Sequence, residues 1–158
     1  MGIDSRAFRD ALGLFPTGVC VVTAIDADHR AVGMTVNSFS ALSLDPPLVR
    51  WCMQKNSERF DTYYKAQGFG ISILAEDQQD LSGRYAQKEQ YELSLGSYRI
   101  GRSGQAVLRQ CLGSFECSLQ QTVDGGDHII LIGEVLEMER RDSARPLLFY
   151  GGEYRQLR

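Results

Sequence analysis

A small, mainly β barrel with a few helices is the architecture this sequence predicts, and three observations predict it. Apolar, β-branched and aromatic runs recur at 19–25, 32–36, 48–53, 69–74, 114–123, 127–135 and 147–150, which makes six to seven strands. Only the stretches 5–15, 58–64 and 77–86 read as helices. Strands and helices do not alternate, so a doubly wound parallel sheet is not expected. The 158 residues suit a single domain, 1–158, with a sizeable core.

Taking the chain in order, Asp4 or Ser5 caps a first helix that puts Ala7, Phe8, Ala11, Leu12 and Phe15 on one face, and Pro16 ends it. Thr17-Gly18 turns into the nearly all-apolar strand 19–25. The polar loop 26–30, which holds His29, leads into the second strand. Residues 48–53 form a third strand, and Asn56 or Ser57 caps a short helix after it. Strand 69–74 precedes a helix at 77–86, with Leu81 and Tyr85 four apart on one face. Residues 88–105 have no period and carry Gly96, Gly101 and Gly104, so they read as a long loop. Phe115, Cys117, Leu119 and Val123 then alternate with Ser114, Glu116, Ser118, Gln120 and Thr122, a half-buried strand. The turn Asp124-Gly125-Gly126 joins it to the strand 127–135, and 147–150 is a last short strand before a tail.

Composition excludes several classes of function. The net charge is −3 and no run of Lys or Arg stands out, which argues against a nucleic-acid surface. Apolar runs such as 129–132 are far too short to span a bilayer, and no secretory leader pattern opens the chain, so a cytoplasmic protein is expected. The four cysteines, Cys20, Cys52, Cys111 and Cys117, form no C-x-x-C pair, and His29 and His128 are the two histidines. No metal site is expected from that set. Cys20, Cys52 and Cys117 sit in apolar strands and read as small buried hydrophobes. No G-x-G-x-x-G turn, P-loop or Ser/His/Asp constellation is found.

The stretch 33–48 (GMTVNSFSALSLDPPL) is the most informative. It opens as a strand, with Val32, Met34 and Val36 alternating against Gly33, Thr35 and Asn37. The alternation then dissolves into Asn37, Ser38, Ser40 and Ser43, and Asp45-Pro46-Pro47 forces an extended exit. A strand ending in short, uncharged hydrogen-bonding side chains suits a polar, planar ligand.

Thr35-x-Asn37-Ser38-Phe39 followed by Ser43-Leu44-Asp45-Pro46-Pro47-Leu48 resembles the flavin-binding segment of the flavin reductase-like, FMN-binding split-barrel proteins. That family includes the reductase components of two-component flavin monooxygenases. Three further stretches carry the likeness, which runs from about Phe8 to Tyr154: Arg84-Tyr85-Ala86, Gly126-Asp127-His128 with Gly133-Glu134-Val135 after it, and Tyr150-Gly151-Gly152-Glu153-Tyr154. The resemblance implies a Greek-key split barrel that binds FMN or FAD and takes hydride from NADH or NADPH. It also implies a homodimer and a separate monooxygenase that receives the reduced flavin. It assigns the flavin to Thr35, Val36, Asn37, Ser38, Ser40 and Ser43, its phosphate to Lys55, Asn56 and Ser57, and further contacts to Tyr85 and Tyr154. Core packing is the stronger reading of Tyr85, and Asn56-Ser57 taken alone reads as an ordinary cap.

Hydride transfer between a nicotinamide and a flavin is the cofactors' own chemistry and needs no metal or protein nucleophile. His128 is the candidate catalytic residue: at the rim of a flavin pocket an imidazole can bond the nicotinamide carboxamide or shield the ring face. Its charge change near neutral pH then makes nucleotide affinity pH-dependent. A non-catalytic flavin carrier on the same barrel, or a barrel that binds a partner protein and no flavin, are the competing readings.

Overall fold

The computed structural model describes residues 2–158. Helix α1 (Ser5–Leu12) is followed by strands β1 (Thr17–Gly18), β2 (Cys20–Ile25), β3 (Ala31–Val36), β4 (Ser40–Leu44) and β5 (Pro47–Gln54). Helix α2 (Phe60–Lys65), strand β6 (Gly68–Ile73) and helix α3 (Gln79–Tyr85) come next. The chain ends with β7 (Tyr98–Ile100), β8 (Ala106–Leu108), β9 (Gly113–Gly125), β10 (His128–Arg140), β11 (Leu148–Tyr150) and β12 (Glu153–Arg155).

Seven strands make the main sheet in the order β3-β2-β6-β9-β10-β5-β4, with antiparallel neighbours throughout. Strands β3 and β4 are its two edges, yet only residues 37–39 join them. Laid flat, the edges would be about 29 Å apart at ~4.8 Å per strand. The link from Val36 to Ser40 spans at most about 14 Å. The sheet must therefore curl until its edges approach, and because β3 and β4 do not pair, the barrel stays split between them. The mainly β fold read from the sequence is the fold observed.

Strand β2 is apolar at nearly every position because both of its faces are covered. Cys20, Val22 and Ala24 point into the barrel core with Trp51, Phe69, Ile71 and Leu131. Val21 packs outside with Leu74, Tyr85 and Leu93. Trp51 anchors the inner core, its ring edge-on to Tyr63 (centroids 5.3 Å apart) and to Phe69 (5.8 Å). Burial pushes the Cys20 and Cys117 thiols up to about 12, as befits inert core cysteines. At Gly133 the β9–β10 register shifts, and a Cβ there would lie 2.5 Å from the Phe69 ring, so only glycine fits.

The structure departs from the sequence reading at several points. Thr17-Gly18 is not a free turn but β1, paired with β11. The terminal tail contains β12, which closes a three-stranded β1-β11-β12 sheet. The polar stretch after β3 includes the edge strand β4, whose small hydroxyl residues hide its strand character until β5 pairs with it. The β9–β10 turn is Gly126-Asp127, one residue later than expected, with Gly126 at φ +72°. Ser114 and Glu116 are buried rather than facing solvent, because the segment leading to β8 folds over β9. The Ser103 N–H and hydroxyl both donate to Glu116 Oε1, at 3.0 and 2.6 Å. Residues 88–105 hold β7 and also shield the β3 edge: Gly33 N–H donates to the Tyr91 carbonyl and Leu93 N–H to the Ala31 carbonyl. The predicted apolar face of α1 exists, but none of the described residues covers it, and Phe8, Leu12 and Phe15 are exposed.

Candidate functional site

A cavity of about 270 Å³ opens where the barrel is split. The end of β3 and the start of the link to β4 supply Met34, Thr35, Val36, Asn37 and Ser38. The end of β5 supplies Cys52, Met53 and Gln54. Ser57 from the following turn and His128 from the first position of β10 complete the lining. His128 and Gln54 are brought together by the β10–β5 register, which pairs them directly. Apolar groups (Met34, Val36, Met53) alternate here with uncharged hydrogen-bonding ones, and among the described residues no Asp, Glu, Lys or Arg lines the cavity.

Six of the residues expected at the site line this cavity: Thr35, Val36, Asn37, Ser38, Ser57 and His128. Four of them already make hydrogen bonds within the protein: Thr35, Ser38, Ser57 and His128. The Thr35 hydroxyl donates to the Ser82 carbonyl of α3 at 2.7 Å, which leaves its oxygen free only to accept. The Ser38 hydroxyl donates to the Cys52 carbonyl (3.2 Å) and accepts from the Cys52 N–H (2.9 Å), a stitch between the link and β5. His128 Nδ1 lies 2.7 Å from the Asp127 carboxylate, and 38% of its side chain is exposed. The hydrogen bond from His128, with its charge, holds the Asp127 carboxyl below its usual value.

The other expected residues lie elsewhere in this chain. Ser40 and Ser43 follow β4 along the outer edge of the split, and the Ser40 hydroxyl is buried without a partner. Lys55 is ion-paired with Asp124 of β9, and its N–H donates to the Asp127 carbonyl, so its charge braces the hairpin rather than the cavity. Asn56 is exposed in the turn after β5. The helix expected to start at Asn56 or Ser57 begins at Phe60 with Arg59 as its cap. Ser57 instead accepts from the Arg59 N–H at 3.2 Å, a local turn contact that takes the place of a helix cap. Tyr85 is buried in the outer core, the packing alternative raised by its sequence position. Tyr154 stacks edge-on to Phe149, and its hydroxyl bonds the Ser82 hydroxyl at 2.6 Å.

Sequence reasoning missed Met34, Cys52, Met53 and Gln54. All but Gln54 sit in runs that look like plain core, and Cys52, read as a buried hydrophobe, is half-exposed to the cavity. Gln54, a polar residue closing an apolar strand, was the available signal; its meaning depends on a pairing with His128 seventy-four residues away.

The residues present fit a flavin ring. A planar heteroaromatic system needs apolar side chains against its face and neutral donors and acceptors at its edge, and the lining offers both. It offers a flavin phosphate the Ser57 hydroxyl and no free cation.

Known proteins resemble this chain in sequence and in fold. The flavin reductase like domain matches residues 12–158. The chain is 44% identical over 153 residues to the FMN reductase (NADH) SmoA of Agrobacterium fabrum, covering 97% of this chain and 86% of that protein. It is 42% identical over 136 residues to a longer Rhizobium meliloti relative, covering 86% of this chain but only 44% of that protein. Among solved structures, the NADH:FAD oxidoreductase SgcE6 of Streptomyces globisporus superposes with a TM-score of 0.90 at 30% identity, covering 100% of this chain and 97% of that one. BorF, the flavin reductase component of a bacterial two-component tryptophan halogenase, gives 0.90 at 35% identity over 98% of both chains. By sequence and by fold, this chain belongs to the flavin reductase like domain family.

Proposed function

We propose that this chain is an NAD(P)H:flavin oxidoreductase that moves hydride from a reduced nicotinamide to FMN or FAD and hands the reduced flavin to a separate monooxygenase. The observation that carries the reading is the gathering of Thr35, Val36, Asn37, Ser38, Ser57 and His128 around one cleft at the barrel split. Residues from three distant parts of the sequence meet there, and they are the types a neutral redox ring requires. Relatives named as FMN reductase (NADH) and as the reductase subunit of a flavin-dependent monooxygenase support the assignment. A solved SgcE6 complex with NAD and FAD fragments supports a pocket that holds both nucleotides.

The flavin supplies the hydride-accepting chemistry when bound. Met34, Val36 and Met53 would give it an apolar bed, and Asn37, Gln54 and the Thr35 oxygen would be available to its polar edge. Asp127 orients the His128 ring through Nδ1, leaving Nε2 to contact the carboxamide of the incoming nicotinamide. The whole chain, residues 1–158, acts as one domain and works in the cytoplasm without metal, nucleic acid or membrane. The uncovered apolar face of α1, with Phe8 and Leu12 more than half exposed, supports a homodimer.

Trp51 is the sole tryptophan and precedes Cys52 and Met53 of the lining, so it reports on occupancy. Titrating FMN and FAD should quench its emission saturably, and steady-state assays crossing NADH and NADPH with the flavins should show turnover. Tight flavin binding without turnover would favour an electron carrier. No binding at all would remove the proposal. His128→Ala should raise KM for NADH by up to about tenfold, the worth of one hydrogen bond, and change flavin affinity less. Equal losses in both would take His128 off the nicotinamide.

A further inference from the structure

A second cavity, of about 410 Å³, lies at the opposite end of the β9–β10 hairpin. It is separated from His128 by the length of β10, about 40 Å of strand for its thirteen residues. Four arginines line it: Arg99, Arg109, Arg140 and Arg141, against one carboxylate, Glu139. They are scattered over forty-three positions of the sequence, so no basic run betrays them. In a chain of net charge −3 this is a local concentration of positive charge.

Two of the four are committed. Arg99 pairs with Glu139 at 2.9 Å and Arg140 with Asp142 at 2.5 Å. Among the described residues, Arg109 and Arg141 have no carboxylate within ion-pairing distance. Arg141 also lines a neighbouring cavity together with Glu76 and Asp77, but neither carboxylate comes within ion-pairing distance of it. The Nε of Arg141 is buried without a hydrogen-bond partner, a cost native structures normally avoid. The Cys111 thiol shares this lining; burial raises it, and the charges of Arg141 and Arg99 pull the other way.

We infer that this cavity is an anion site for the phosphate group of a small molecule, remote from the flavin cleft. A carboxylate brings one charge and two oxygens. A phosphate monoester brings close to two charges and three acceptor oxygens, which matches two uncommitted planar forks better. Free phosphate and a nucleotide monophosphate share this chemistry, and the experiment separates them.

The test is a titration of ¹⁵N-labelled protein at constant ionic strength, so that general screening is held fixed. Inorganic phosphate should shift the amides of residues 109–114 and 139–141 saturably at one site. AMP should do the same at equal or lower concentration if the source is a nucleotide, and at higher concentration if it is free phosphate; adenosine should be silent. Arg109→Gln combined with Arg141→Gln should weaken phosphate binding tenfold or more. Arg155→Gln, which removes an arginine paired with Glu153 on β12, should not. Shifts that fail to saturate, that appear only around His128, that adenosine reproduces, or that survive the double substitution would overturn the site. If the double variant does not fold, the wild-type shift map decides alone.

Discussion

Tyr154 shows how a residue's neighbours decide its role. Its position in a terminal Tyr-rich pattern suggested a flavin contact, but its hydroxyl spends its hydrogen bond on Ser82. Ser82 is completely buried, and its carbonyl accepts from Thr35 at the cleft. Tyr154 and Thr35 thus hold the same residue of α3 from two sides, and the cleft's Thr35 is positioned by a helix it does not belong to. Tyr154→Phe should cost about 1 kcal/mol and lower Tm by roughly 2–4 °C. Flavin affinity that falls while Tm stays put would restore the direct contact. Circular dichroism melts with a flavin titration distinguish the two outcomes.

At the level of elements, the β2–β3 hairpin carries the clearest pH-sensitive contact. Burial pushes the Asp26 carboxyl up, but the N–H groups of Arg30 and Asp28 and the Arg30 guanidinium outweigh it and hold it below its usual 3.8. A carboxyl that ionises more readily folded than unfolded stabilises the fold in full above its unfolded value. That stability is lost as pH falls from there through the folded value. Denaturation curves should therefore lose stability more steeply below about pH 4 in the wild type than in Asp26→Asn. Identical acid limbs would mean that the loop does not contribute. The loop joins β2 to β3, and β3 with the link after it delivers five of the cleft residues.

The molecule as a whole is governed by the meeting of two sheet edges. Because residues 37–39 join β3 to β4, the same few side chains must bridge the split and line the cleft. Ser38 does the bridging, with both polar backbone groups of Cys52 bound to its hydroxyl. Ser38→Ala leaves that N–H and C=O unpaired at a part-buried site, at a cost of about 1–3 kcal/mol. We expect it to lower stability and flavin affinity together. Asn37→Ala, at an exposed position of the same link, should weaken flavin binding at unchanged Tm. A Ser38→Ala protein as stable as wild type would mean that the edges are held by packing alone.

Much of this was legible in local pattern. The alternation in 32–36 and 114–123, the all-apolar 19–25 and the Gly-rich turn before His128 each mark a strand or hairpin by rules that act within a few residues. The polar end of β3 pointed to the cleft for the same reason, since a strand that stops being greasy has stopped facing a core. Strand β4, β12, the burial of Glu116 and the capping of α2 were not legible, because each depends on a partner far along the chain. Gln54 and Met53 entered the cleft beside His128 through the β10–β5 register, Met34 entered it from β3 across the split, and Lys55 left it for Asp124. Local propensity follows from the backbone and side chain of each residue. A shared cavity follows from which strands pair and how far the sheet curls, and those are set only when the whole core is buried at once.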